Sequence, residues 1–133
     1  FDIDKAKQHI ESLEDKIVGN WDIQTIEEVR PIFNKIDLTN QITTERIIFY
    51  KNNNIEIIDD SQKNEGNWNI EYEPYYLSPS AEQTIPQYRI KLTLYFLNNV
   101  NFPSNFYIDI LNKSKLNMYS PSDNGDIWIK SIK

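Results

Sequence analysis

The chain has 133 residues, 39% of them hydrophobic and 13% aromatic, with a net charge of -6 and no cysteine. That length suits one domain, and the absence of cysteine excludes disulfide frameworks and thiolate metal sites. Scattered basic residues argue against nucleic acid, whose phosphates call for a massed positive surface, and no apolar run approaches the roughly 20 residues of a membrane-spanning helix.

A start at Phe1 in place of methionine is what a removed leader would leave, either a secretory signal or one carrying a lipid-bearing cysteine. Abundant Ile, Asn and Lys suit an AT-rich bacterial genome. From Asp2 to Ile17, the apolar residues Ile3, Ala6, Ile10, Leu13 and Ile17 recur at steps of three and four. This spacing predicts one amphipathic helix of about four turns, capped at its start by Asp2 or Asp4 and stopped by Gly19.

After Gly19 the pattern changes to short β-rich stretches separated by Asn, Pro, Ser and Asp. The predicted strands are Asn20 to Val29, Gln41 to Lys51, Asn54 to Asp59, Gly66 to Tyr72, Gln87 to Leu97, Asn105 to Leu111, Lys115 to Tyr119 and Asp126 to Ile132. Turn chemistry lies between them, including Asn52-Asn53-Asn54 and Asn124-Gly125, because asparagine and glycine tolerate positive φ. Eight short antiparallel strands must hide their edges, by closing into a barrel or packing as two sheets. Two longer connections, Arg30 to Asn40 and Glu73 to Pro86, would lie across the open ends of a barrel. The second is rich in proline and tyrosine.

The pentads Gly19-Asn20-Trp21-Asp22-Ile23 and Gly66-Asn67-Trp68-Asn69-Ile70 use two of the three glycines and two of the three tryptophans. Their flanks do not match, so duplication is a poor account. A mechanical one is better: glycine allows a sharp turn or close approach, and the following indole enters the interior at the start of a strand. With parity set by the tryptophans, Ile23, Ile70, Tyr72, Ile90, Leu92, Leu94 and Phe96 also point inward. Phe106, Ile108, Ile110, Leu116, Met118, Ile127 and Ile129 extend the set along the later strands. Nearly all are bulky, which predicts a largely occupied interior with at most a narrow pocket at one mouth. Ile26, Ile48, Tyr95, Leu97, Tyr107, Trp128 and Ile132 fall on the opposite face, partly for the helix to cover.

A helix followed by Gly-x-Trp resembles the opening of lipocalins and their calycin relatives. The second Gly-x-Trp and the late stretch from Tyr107 to Met118 are similar to lipocalin-like domains of small secreted or lipid-anchored Bacteroidota proteins. The resemblance implies an all-β, eight-stranded, antiparallel up-and-down barrel with one N-terminal helix, forming a single domain over residues 1–133. It also implies an extracytoplasmic place, in the periplasm or at the cell surface. Many lipocalins set a late arginine against the first-strand tryptophan. No arginine follows Arg89 here, and Lys130 is the expected substitute, without guanidinium stacking.

Chemistry-bearing motifs are sparse. His9 is the lone histidine, and no Gly-x-Ser-x-Gly elbow, phosphate loop or dinucleotide fingerprint is present. Glu27-Glu28 and Asp59-Asp60 read as solvated acidic pairs, and Asp123-Asn124-Gly125-Asp126 reads as a hairpin turn and not a calcium loop. The expectation is therefore a non-enzymatic binding module without a cofactor or metal. It would hold a small apolar ligand at one mouth against Trp21, Trp68, Tyr72, Tyr75, Tyr76 and Phe96. The alternative is a filled barrel acting on a protein partner through its surface.

Overall fold

The computed structural model describes residues 2–32, 34–75 and 87–133, the side chain of Tyr75 excepted. Helix α1 spans Ile3–Ile17, and Asp2 caps it, its carboxylate accepting from the backbone N–H of Asp4 (3.0 Å) and Lys5 (3.2 Å). Val18, not Gly19, is the exit residue, and Gly19 already opens the first strand, with φ at 135°.

Nine strands follow: β1 (Gly19–Val29), β2 (Lys35–Asp37), β3 (Thr44–Phe49), β4 (Asn54–Asp59), β5 (Gln62–Tyr75), β6 (Gln87–Phe96), β7 (Asn105–Leu111), β8 (Lys115–Pro121) and β9 (Asp126–Ile132). β1 and β3 to β9 pair antiparallel in order, and β1 with β9 closes the cylinder. The expected eight-stranded barrel with one helix is therefore present. β2 is an addition inside the Arg30 to Asn40 connection, three residues laid on β1 from Glu27↔Asp37 to Val29↔Lys35. Three residues are too few for alternation to reveal a strand.

Two predicted strands change length. β3 starts late because Gln41 and Ile42 turn back to donate to the Leu38 carbonyl. β5 starts at Gln62, earlier than expected, because Asp60 (φ 49°) and Ser61 (φ 74°) make a two-residue turn that brings Gln62 opposite Asp59. Asp and Ser in adjacent positive-φ positions give a weaker hairpin signal than Asn-Gly.

The inner face is close to a continuous seal. Trp21, Ile47, Ile55, Leu92, Phe106, Leu116, Met118 and Ile129 show no exposure, and Trp68 shows 3%. Burying each such side chain contributes roughly 1.5–3 kcal/mol, so the interior supplies most of the hydrophobic stabilisation. Alternation fails at two bulges. In β1 the register shifts between Ile23 and Thr25, which turns Ile26 inward to 1% exposure, a correction to its outward placement. In β7 a shift between Ile108 and Ile110 leaves Ile110 40% exposed, not inward as expected, and Leu111 packs on the core in its place.

Both barrel ends are stoppered. Leu13 and Ile17 of α1 join the core at the end where β1 begins and β9 finishes. At the far end Ile42 and Phe102 do the same, Phe102 packing on Phe106 with ring centroids 5.7 Å apart. The two far-end loops are tied together by a hydrogen bond from the Asn101 amide to the Gln41 carbonyl.

Candidate functional site

The two repeated tryptophans are structural anchors whose polar edges are satisfied by backbone. The Trp21 indole N–H donates to the Ile17 carbonyl at 2.7 Å, fixing the end of α1 to the first rung of β1. That of Trp68 donates to the Tyr50 carbonyl at 3.1 Å, and its ring meets Phe49 edge-on at 5.6 Å. The cation beside Trp21 is Lys133, whose Nζ lies 5.1 Å from the ring and donates to the carbonyls of Lys16 and Val18. Lys130, the expected substitute, is exposed and pairs with Thr25. The bulge in β1 fixes that register, and sequence spacing could not reveal it.

The other expected ligand contacts lie apart from these. Phe96 is half-buried and sits opposite Gly66. Tyr72, on the part of β5 that runs on past β4, is hydrogen-bonded through its hydroxyl to Nδ1 of His9 and lies 6.1 Å from the Tyr88 ring. The side chain of Tyr75, and all of Tyr76 and the connection through Pro86, lie outside the described residues. Beside Tyr72, a cleft of about 400 Å³ opens between α1 and β5, walled by Ile3, Ala6, Ile10 and Ile70. His9 was expected to be a plain surface residue. Its reach to Tyr72 spans 63 positions, which no local pattern could signal.

A second cleft, of about 510 Å³, lies toward the far end, where β1 leaves β3. The two strands pair only from Gly19↔Phe49 to Asp22↔Arg46, after which the bulge carries β1 away. Ile23, Ile26 and Ile42 line the opening together with Gln24, Thr39, Thr43 and Thr44, and its carboxylates are Glu45, Asp59 and Asp60. Thr43 donates to Asp59 at 2.6 Å.

The outer wall carries a third constellation, which sequence reading missed. Glu73 accepts from the Tyr107 hydroxyl at 2.7 Å and pairs with Arg89 and Lys91, each at 3.1 Å. The Tyr107 hydrogen bond, followed by those from the two cations, holds the Glu73 carboxyl below its ordinary range. The bond to Glu73 raises Lys91, and burial is the main cause that raises Tyr107. The Arg89 guanidinium lies 3.8 Å above the Tyr107 ring, and the aromatic row continues to Tyr119 (5.5 Å) and then Trp128 (4.8 Å). Tyr107 and Trp128 were expected on this face, but their assembly depends on pairing across β5 to β9.

Among the described residues no three His, Cys, Asp or Glu side chains could hold a metal ion, and no helix is long and apolar enough to cross a membrane. No family model, curated protein or solved structure matches the chain. The barrel is compatible with the lipocalin-like fold that the sequence resembles.

Proposed function

We propose that this is a non-enzymatic, extracytoplasmic binding module that works through its outer surface and the loops at its ends, not through its bore. The observation that carries the reading is the sealed inner face: indole, phenyl and branched side chains without exposure, under stoppers at both ends. A ligand in the bore would have to displace groups whose removal costs several kcal/mol each. The three constellations named above all open outward instead. The extracytoplasmic placement rests on the resemblance to secreted and lipid-anchored lipocalin-like domains.

The test is titration with fatty acids and small aromatics, followed by tryptophan fluorescence and thermal melting. The expected result is no saturable change in either. A saturable fluorescence change with a rise in Tm would overturn the surface reading. A second reading, a small apolar molecule held at the helix end, is favoured by the 400 Å³ cleft beside Tyr72. It would appear as amide shifts confined to Ala6, Ile10 and Tyr72, lost in the Ile10→Glu variant.

A further inference from the structure

We propose that the cleft between β1 and β3 is a binding site for a primary alkylammonium group, carried by a free diamine or by a lysine side chain of a partner. The inference rests on the surface reading above and gives that surface a ligand chemistry.

The floor and the rim make different demands. Ile26 and Ile42 are 1% and 7% exposed, yet both line the cleft, so they offer an apolar strip to a methylene chain. Around it stand the carboxylates of Glu45, Asp59 and Asp60, and no lysine or arginine lines the opening. None of the three carboxylates is in an ion pair with a described residue. An aliphatic stem ending in one positive charge matches both parts.

Two hydroxyls add an independent sign. Thr44 is 5% exposed and lines the cleft, and its side chain has no hydrogen-bond partner among the described residues. Thr25, on the bulge between Gln24 and Ile26, buries its hydroxyl oxygen without a partner. Buried hydroxyls left unpaired are costly, and an entering N–H donor would satisfy that of Thr44. An ammonium has three donors and no acceptor, which suits carboxylates and a hydroxyl oxygen together. The bulge that turned Ile26 inward also parts β1 from β3, so one local irregularity supplies both the opening and its apolar floor.

The experiment is amide chemical-shift titration of the whole described chain with 1,5-diaminopentane, n-pentylammonium, n-pentanol and an acetylated Gly-Lys-Gly amide. The expected result is saturable shifts at Gln24, Thr43, Thr44 and Asp60 with the three amines, and at least tenfold weaker binding of n-pentanol. Tighter binding of the diamine identifies a free amine as the source, and tighter binding of the lysyl peptide identifies a partner's side chain. The double variant Asp59→Asn with Asp60→Asn should weaken amine binding about tenfold, asparagine being suited to the positive φ of residue 60. Thr44→Val should weaken it without loss of charge. Absence of localised shifts, n-pentanol binding as well as n-pentylammonium, or folded variants that bind unchanged would overturn the proposal. Shifts of the Trp21 and Trp68 indoles with apolar ligands would instead overturn the surface reading, so the two failures are distinguishable.

Discussion

Replacing Gly66 with alanine tests the mechanical account of the repeated pentad. A β-carbon built on Gly66 would lie 2.0 Å from the Tyr95 carbonyl oxygen and 3.0 Å from the Phe96 ring. Ordinary contact begins near 3.4 Å, so the backbones of β5 and β6 must part by roughly 1.4 Å at that rung. Gly66 is also paired with Ile55 of β4, so it is held on both sides and has little room to move away. Overpacking of this kind costs about 1–3 kcal/mol, and contact with backbone instead of a flexible side chain puts the cost at the upper end. We expect a loss of about 3 kcal/mol in urea denaturation at constant m, with a fall in Tm on the order of 10 °C. Trimming the ring with Phe96→Leu should not rescue it, because the nearer obstacle is a main-chain oxygen. Gly19→Ala should cost about 1–3 kcal/mol for another reason, the strain of φ at 135°. Its steric neighbour is the Lys133 side chain, which can move away. A Gly66→Ala protein within 0.5 kcal/mol of the parent would refute the reasoning.

Trp21→Phe should lose about 1–3 kcal/mol, since the Ile17 carbonyl then lacks the indole donor in a sealed site; hydrogen exchange should quicken in α1 before it does in the barrel. The lowered pKa of Glu73 predicts an acid limb: its stabilisation is complete above the unfolded carboxyl's range and is lost as pH falls through the folded value. Denaturation of the parent and of Glu73→Gln should therefore differ by a constant amount near neutrality and converge in acid. A difference that does not vary with pH would contradict the assignment.

Much of the fold was legible because two periodicities carry it. Steps of three and four from Ile3 to Ile17 defined α1, and period-two alternation around Trp68, Leu92 and Met118 defined the wall and its filled interior. The failures fall where one residue breaks the period. The bulges after Ile23 and Ile108 invert parity, and they misplaced Ile26 and Ile110 although each strand was correctly located. Of the sites, Tyr72 was noticed for its aromatic neighbours, whereas its contact with His9 was not. The ionic group at Glu73 and the threonine-lined cleft depend on register between strands distant in sequence. A single chain contains no periodic trace of such register.

The clasp between Lys133 and the end of α1 has a kinetic consequence. The first element made by the chain is secured only by the last, because the lysine that grips the Lys16 and Val18 carbonyls arrives with β9. Until that final strand is laid along β1, the helix lacks its anchor and the cylinder stays open. Assembly should therefore be slow and all-or-none, in the millisecond-to-second regime typical of chains dominated by remote pairings. Cutting after Ser131 should leave a long-lived species with an undocked helix.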